Sequence, residues 1–305
     1  MTSSTDFLRV IAHSVNGLFK HRVDFENFVR YEKIDVMLIS ETHLRSDQNF
    51  SMPDYSFYRA DQPNNNGWGG AGLLIRKGLK HYLGFQYSTD KTQIVGVYVS
   101  SPNGDVQIAS IYCPPTNRRQ PITVEEFKFV LNELGTRFIV GGDFNAKNPR
   151  WGSKKTTVRG NKLLEAGKSL GCDFLSDGKP THWPTNSIFE PDLIDFWVTR
   201  NFSRNLMEVG SIPDYVDHCP IIMNLFVSAL KKPCNNSLTN AKTNWKFFRR
   251  QLCSCELVTH ISTAPMIDDK VDRLTADIRE AAICWLRPSE LSQLKTLKFL
   301  ETLSS

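Results

Sequence analysis

Glu41, Asp143, Asn145, Asp195, Asp217 and His218 share one kind of placement in the chain. Glu41 closes the apolar run "VMLISE", and Asp143 and Asn145 follow "FIVGG". Asp195 lies within "LIDFWV", and Asp217 and His218 stand just before "CPIIMNLF". Side chains at the ends of strands can meet at one mouth while the sheet holds their backbones rigid. Gathered there, this set suits hydrolysis at phosphorus. A hard divalent cation prefers one or two carboxylates and keeps water ligands for the substrate, which fits Glu41 better than a dense acidic cage would. Such a cation neutralises and orients a phosphate oxygen. A histidine hydrogen-bonded to an aspartate, His218 with Asp195, would hold one tautomer and donate to the phosphate or manage a proton. Asp143, held by Asn145, would activate the attacking water. Gly141 and Gly142 would let the chain turn without a Cβ clash, so that both side chains face the same cleft.

Positioning these groups requires strands and outer helices. The runs "LRVIAHS", "DVMLISE", "AGLLIRKG", "QIVGVYVS", "VQIASIYCPP", "TRFIVGGDFN", "LIDFWVT" and "CPIIMNLF" predict strands. "SPNGD" predicts a hairpin between the fourth and fifth of them. "VDFENFVRYEK", with apolar residues at Phe25, Phe28 and Val29, has helical spacing, and "ITVEEFKFVLNEL" and "RGNKLLEAGKSLG" predict two more helices. The mixture predicts an α/β sandwich of sheets with helices outside. Near Val227 the texture changes to a polar, turn-rich stretch, "SALKKPCNNSLTNAKTN". We therefore divide the chain into a main domain, 1–228, and a linker with a helical C-terminal extension, 229–305.

Composition narrows the class. A chain of 305 residues with 40% hydrophobic and 23% charged residues is ordinary for a globular protein and too apolar for bulk disorder. It contains no apolar run long enough for a membrane span and no secretion-signal pattern at its start. Seven cysteines without a CxxC pair argue against a disulfide framework and against a structural zinc site. An intracellular location follows as the expectation, the nucleus first and the cytoplasm second. Of the formal net charge of +5, the residues from Lys231 onward carry twelve Lys/Arg against eight Asp/Glu, or +4, leaving +1 before them. Binding of nucleic acid would therefore rest on local phosphate contacts, with help from the tail, not on a broad basic field.

The strings "VNGLFKHR", "IDVMLISETHL", "GWGGAGLLI", "IASIYCPPT", "GGDFNAKNPRWG", "RGNKLLE", "PTHWP", "PDLIDFWVT" and "DHCPI" run in order from about residue 8 to 227. Together they resemble the endonuclease/exonuclease/phosphatase family, and within it the endonuclease of Jockey-like non-LTR retrotransposons. The resemblance implies a DNase-like, four-layer α/β/β/α sandwich. It implies Glu41 as the principal metal ligand assisted by Asn16, with Asp217 completing the metal or water network, and Mg²⁺ as the cation with Mn²⁺ as the alternative. It further implies Tyr112 at the scissile phosphate, Asp143 and Asn145 positioning water and phosphate, Thr181 at the DNA backbone, and Asp195 orienting His218. The reaction implied is nicking of one strand of double-stranded DNA to leave a 3′-hydroxyl that primes reverse transcription. The reverse-transcriptase portion of the parent element would be the partner, and no polymerase signature occurs in this chain.

Two positions depart from that pattern. His13 and Ser14 stand where the family usually has Trp-Asn, and Val216 replaces the usual Ser before Asp-His. Loss of one transition-state donor can cost roughly 3 kcal/mol, so either change would impair turnover. A catalytically weakened nucleic-acid-binding relic is thus the rival expectation, and a phosphatase or lipid phosphodiesterase of the same fold a third. Taken singly, each residue also has a plainer reading. Asp143 would be a turn former, Glu41 a solvated strand end, Tyr112 a packing residue, and His13, His43 and His182 surface or capping histidines.

Overall fold

The apolar runs become the strands of two six-stranded sheets. The structure, a computed structural model, describes residues 7–115, 121–186, 188, 190–213 and 217–232, together with 245, 246, 249, 250, 274 and 278. The first sheet contains β1 (Leu8–Ser14), β2 (Val36–Ser40), β3 (Tyr55–Ala60), β4 (Ala71–Arg76), β11 (Met207–Ser211) and β12 (Ile221–Leu225), in the order β11-β12-β1-β2-β4-β3. The second contains β5 (His81–Ser88), β6 (Gln93–Val99), β7 (Val106–Tyr112), β8 (Phe138–Asp143), β9 (Cys172–Leu175) and β10 (Asp195–Arg200), in the order β5-β6-β7-β8-β10-β9. Each sheet has one parallel pair at its centre. β1 and β2 are parallel across the helix α1 (Arg22–Tyr31), and β7 and β8 are parallel across α2 (Val124–Glu133).

Period-two alternation sorts the side chains into layers. Val10 and Ala12 of β1 face the core between the sheets, with Leu38, Leu73, Val95, Ile108, Ile139 and Trp197. Ile11, between them in sequence, faces outward to Phe25 and Val29 of α1. On the other side α2 and α3 (Val158–Ser169) cover Val140, Phe196 and Val198 with Phe127, Leu131, Leu163 and Ala166. The result is the expected α/β/β/α sandwich. The helix α2 begins with a capping box, Thr123 accepting from Glu126 N and Glu126 from Thr123 N, an arrangement that contributes about 1 kcal/mol.

Two serines stitch the sheets through the inner core. Ser110 Oγ donates to Ile39 O at 2.9 Å, and Ser40 Oγ donates to Ile111 O at 2.9 Å while accepting from Asp143 N at 3.1 Å. The glycines before Asp143 do not form the expected turn. Both lie within β8, where a Cβ on Gly141 would sit 2.4 Å from the Trp197 ring, and one on Gly142, whose φ is +146°, only 2.0 Å from Ile111 O. They permit close approach of neighbouring chain, and the strand runs on through them to Asp143.

The chain divides into two compact units, Met1–Pro233 and Cys234–Ser305. Leu230 and Lys232 still hydrogen-bond within the first unit, to Ser100, Lys80 and Gly78. The helices expected in the extension fall almost wholly outside the described residues. Among the described residues no helix is long and apolar enough to cross a membrane.

Candidate active site

Strand register brings the candidate residues to one end of both sheets. Tyr112, the last residue of β7, lies beside Asp143 in the parallel pairing with β8, and Asp195 lies opposite Asp143 in the antiparallel pairing with β10. In the facing sheet Ser14 and Ser40 end β1 and β2 side by side, and Ser40 is bonded to Asp143 N. Asp143, Asp195 and His218 each offer one atom within 4.8 Å of the others.

The deep part of this cluster is a closed hydrogen-bond network. Asp143 is 1% exposed; its Oδ1 accepts from Asn145 N at 2.7 Å and its Oδ2 from Asn145 Nδ2 at 2.8 Å. Asn145 Nδ2 also donates to Cys113 O at 3.1 Å, so the carboxamide spans the ends of β7 and β8. His218 Nδ1 lies 2.9 Å from Asp195 Oδ2, which also accepts from Thr181 Oγ1 at 2.8 Å. With Nδ1 facing a carboxylate, the second ring nitrogen, Nε2, is the one left for a ligand.

Glu41 is held differently. Its Oε1 accepts from the Tyr112 hydroxyl at 2.7 Å, and its Oε2 lies 4.0 Å from His43 Nε2. The backbone turns sharply here: Asn16, Glu41, His43 and Asn145 all have positive φ, at 46°, 56°, 52° and 46°. A glutamate in that region is uncommon and costs of order 1 kcal/mol or more, a cost that functional sites often carry. The turn persists because neighbouring segments overdetermine it. Val15, Gly17 and Leu18 N–H groups donate to the carbonyls of Ser40, Glu41 and Thr42, and Thr42 and His43 N–H groups donate to those of Gly70 and Gly69. Gly70 has φ of +91° and no room for a Cβ, which would lie 2.4 Å from Thr42 Oγ1.

The electrostatics follow from burial and crowding. Burial, then the charge of Asp195, then that of Glu41 raise the Asp143 pKa well above its ordinary value, against the lowering effects of His218 and the Asn145 N–H. For His218, burial opposes the charged form, but Asp195, Asp143 and Asp217 outweigh it and carry the imidazole up to about 10. Burial and the nearby Glu41 and Asp143 push the Tyr112 hydroxyl up, so it remains a proton donor to Glu41. Burial and the charge of His218 push His13 down to about 3.

Several expectations need revision. Thr181, expected at the DNA backbone, is 1% exposed. Its hydroxyl donates to Asp195 and accepts from Ile194 N and Asp195 N, so it fixes the carboxylate from inside. His13 is a partly buried strand residue and not a surface or capping one. His182 packs against His218, their ring centroids 4.6 Å apart, and His43 reaches toward Glu41. Asn16 is exposed on the turn beside Glu41. Asp217 Oδ1 lies 3.7 Å from His182 Nε2. Ser14 is 5% exposed, and its Oγ has no hydrogen-bond partner among the described residues. Val216 lies outside the described residues. A cleft of about 490 Å³ runs along this side, lined by His13, Ser14, Asn16, Phe25, Asp217 and His218.

One positioning residue escaped the sequence reading. Arg159, 7% exposed near the start of α3, donates through Nη1 to Cys113 O and Phe144 O and through Nη2 to Pro114 O. It clamps the chain just beyond Tyr112 and Asp143. The string "RGNKLLE" contained it, but an arginine in a first helical turn ordinarily signals solvent.

Comparison with known proteins agrees with this architecture. A family model described as endonuclease-reverse transcriptase matches residues 106–222. The chain is 32% identical over 278 residues to the probable RNA-directed DNA polymerase from transposon X-element of Drosophila melanogaster, a stretch covering 90% of this chain and 30% of the relative. It is 31% identical over 284 residues to the RNA-directed DNA polymerase from mobile element jockey of the same species, covering 92% and 30%. The chain thus spans about a third of the length of these curated relatives. Among solved structures, the endonuclease domain of TRAS1, a telomere-specific non-LTR retrotransposon, superposes with a TM-score of 0.57 at 20% identity, covering 72% of this chain and 98% of that one. The AP endonuclease LMAP from Leishmania major gives 0.60 at 16% identity, covering 72% and 87%. Sandwich, clustered strand-end residues and these comparisons agree: the chain has the endonuclease/exonuclease/phosphatase fold, its residues 106–222 match the endonuclease-reverse transcriptase model, and its sequence is similar to about a third of the mobile-element RNA-directed DNA polymerases.

Proposed function

We propose that this chain is a divalent-metal-dependent endonuclease that nicks one strand of double-stranded DNA and leaves a 3′-hydroxyl to prime reverse transcription. The observation that carries this reading is the convergence of Asp143, Asp195 and His218 at one strand-end cluster, stitched through Ser40 to the turn that bears Glu41. The donor set fits a hard cation. Glu41 presents a partly exposed carboxylate on a turn shared with Asn16, and Asp195 and Glu41 both raise the Asp143 pKa, a concentration of negative charge that a cation would relieve. Glu41 would hold Mg²⁺, or Mn²⁺ in its place, with Asn16 and Asp217 assisting. When bound, the cation supplies charge neutralisation at a phosphate oxygen.

The protein's own groups account for the proton movements. His218, kept protonated by Asp195, donates through Nε2 to a non-bridging phosphate oxygen and stabilises the charge that develops there. Asp143, whose raised proton affinity suits a base, accepts a proton from water as its oxygen bonds to phosphorus. The bond from phosphorus to the 3′ oxygen breaks, that oxygen takes a proton from solvent, and a 5′-phosphate remains on the other fragment. Tyr112 holds the Glu41 carboxylate in place and stands beside the scissile phosphate.

The test is conversion of supercoiled plasmid to the open circle in Mg²⁺. Glu41→Ala and His218→Ala should each slow the wild-type rate by about 10²–10⁴-fold, and a chelator should stop it. A wild type no faster than either variant would overturn the reading. The orphaned Ser14 hydroxyl favours a second reading, a weakened enzyme that retains DNA binding. On that reading Ser14→Asn should raise the nicking rate by about an order of magnitude, since a restored donor is worth up to roughly 3 kcal/mol. The reverse-transcriptase portion of an intact element would extend the nicked end, so the proposed site of action is the nucleus.

A further inference from the structure

We propose that His182, Asp217 and His218 form a transition-metal site, built on the two histidines and sharing only Asp217 with the proposed Mg²⁺ site at Glu41, through which Zn²⁺ shuts off the nuclease. The inhibitory consequence rests on the function proposed above; the metal site itself does not.

One ligand atom from each of the three lies within 4.8 Å of the other two. His182 and His218 face each other across an antiparallel bridge, with ring centroids 4.6 Å apart, and His182 Nε2 is 3.7 Å from Asp217 Oδ1. The backbone fixes this arrangement without an ion. Trp183 N donates to Asp217 O at 2.9 Å and Cys219 N to Thr181 O at 2.7 Å, while His182 exchanges two hydrogen bonds with Asp192, at 3.0 and 3.1 Å. Behind the site, Asp195 faces His218 Nδ1 at 2.9 Å, so Nε2 is the ligating atom. A carboxylate behind an imidazole is the arrangement that orients histidine ligands and strengthens their binding.

The ligand chemistry separates this site from Glu41. Two imidazoles and one carboxylate suit Zn²⁺ with a fourth position open to water, whereas Mg²⁺ prefers oxygen ligands. Solvent reaches the site, since the His182 and Asp217 side chains are 27% and 47% exposed. Nothing in the hydrolytic scheme uses His182, although it is packed on the imidazole that does the work. Zn²⁺ bound here would displace the proton from His218 Nε2 to solvent and occupy the atom that must face the phosphate.

Binding is measured first without DNA, by titrating metal-free protein with Zn²⁺ in a calorimeter and with Co²⁺ in a visible spectrometer, where low-coordinate cobalt absorbs strongly. Wild type should bind one equivalent. His182→Ala, and His182→Asn as the more conservative change, should lose it while keeping the wild-type melting temperature. In the plasmid assay, micromolar Zn²⁺ should inhibit wild type at saturating Mg²⁺, and both variants should nick at the uninhibited rate. Failure of wild type to bind, or variants bound and inhibited as strongly as wild type, would overturn the proposal. Absence of nicking in Mg²⁺ alone would instead count against the nuclease reading, and the binding titration would still decide this one.

Discussion

Around Asp195 the polar side chains already have partners: the carboxylate is bracketed by Thr181 and His218, and next to it Asp143 is closed off by both nitrogens of Asn145. Around Glu41 the side chain makes one bond, to Tyr112, and geometry comes from left-handed backbone laced to two neighbouring turns. The difference separates two ways of preparing a site. The deep half is preorganised by side-chain chemistry, and a change of one polar atom should act on rate. The rim is preorganised by main-chain shape, and a change of volume should act on stability and on metal requirement.

The largest expected effect tests the deep half. Asp195→Asn keeps the shape but removes the charge that holds His218 protonated, and should slow nicking about a thousandfold, roughly 4 kcal/mol, with DNA affinity nearly unchanged. Rate and binding measured on the same preparation would show whether the loss is in turnover. Next comes acid. His13 is held down to about 3 in the folded chain against 6.5 unfolded, so below pH 6.5 the unfolded chain binds a proton that the folded one refuses. Stability should therefore fall as pH drops from 6.5 toward 3, by roughly 2–3 kcal/mol at pH 4.5. Urea midpoints at pH 7 and 4.5, with His13→Gln as control, should show the drop in wild type and a smaller one in the variant.

Gly70→Ala probes the rim. Its Cβ would meet Thr42 Oγ1 at 2.4 Å on a backbone with φ of +91°, so stability should fall by about 2 kcal/mol. More Mg²⁺ should then be needed for half-maximal nicking while the rate at saturation stays close to wild type; a lost saturating rate would erase the distinction between the halves. The smallest effect is Thr181→Val, which takes one donor from Asp195 and should cost about tenfold in rate, roughly 1–2 kcal/mol. Thr181→Ser should restore it.

Legibility in the sequence followed the same divide. The central strands were evident because continuous apolar runs such as that of β2 announce burial on both faces. Edge strands such as β5 and β11, half exposed and without clean alternation, gave no such signal. The candidate set was visible as carboxylates placed at strand ends. What Thr181, His182 and Arg159 do was not, because each acts through partners far away in the chain. Thr181 meets Asp195 across 14 positions and Arg159 meets Cys113 across 46, and neither spacing follows a helix or strand period. The glycines before Asp143 were noticed for the wrong reason, since sequence shows that a Cβ is absent but not what would strike it.

The Ser40 hydroxyl, which touches Ile111 O and Asp143 N at once, bridges the two sheets, one leading into Glu41 and His218 and the other bearing Asp143 and Asp195. On the proposed function, the gap that a phosphodiester would fill is therefore set by how one sheet lies upon the other. Warming or a distant core mutation that lets the layers slip by a fraction of an ångström would then blunt the proposed cutting well before the protein melts.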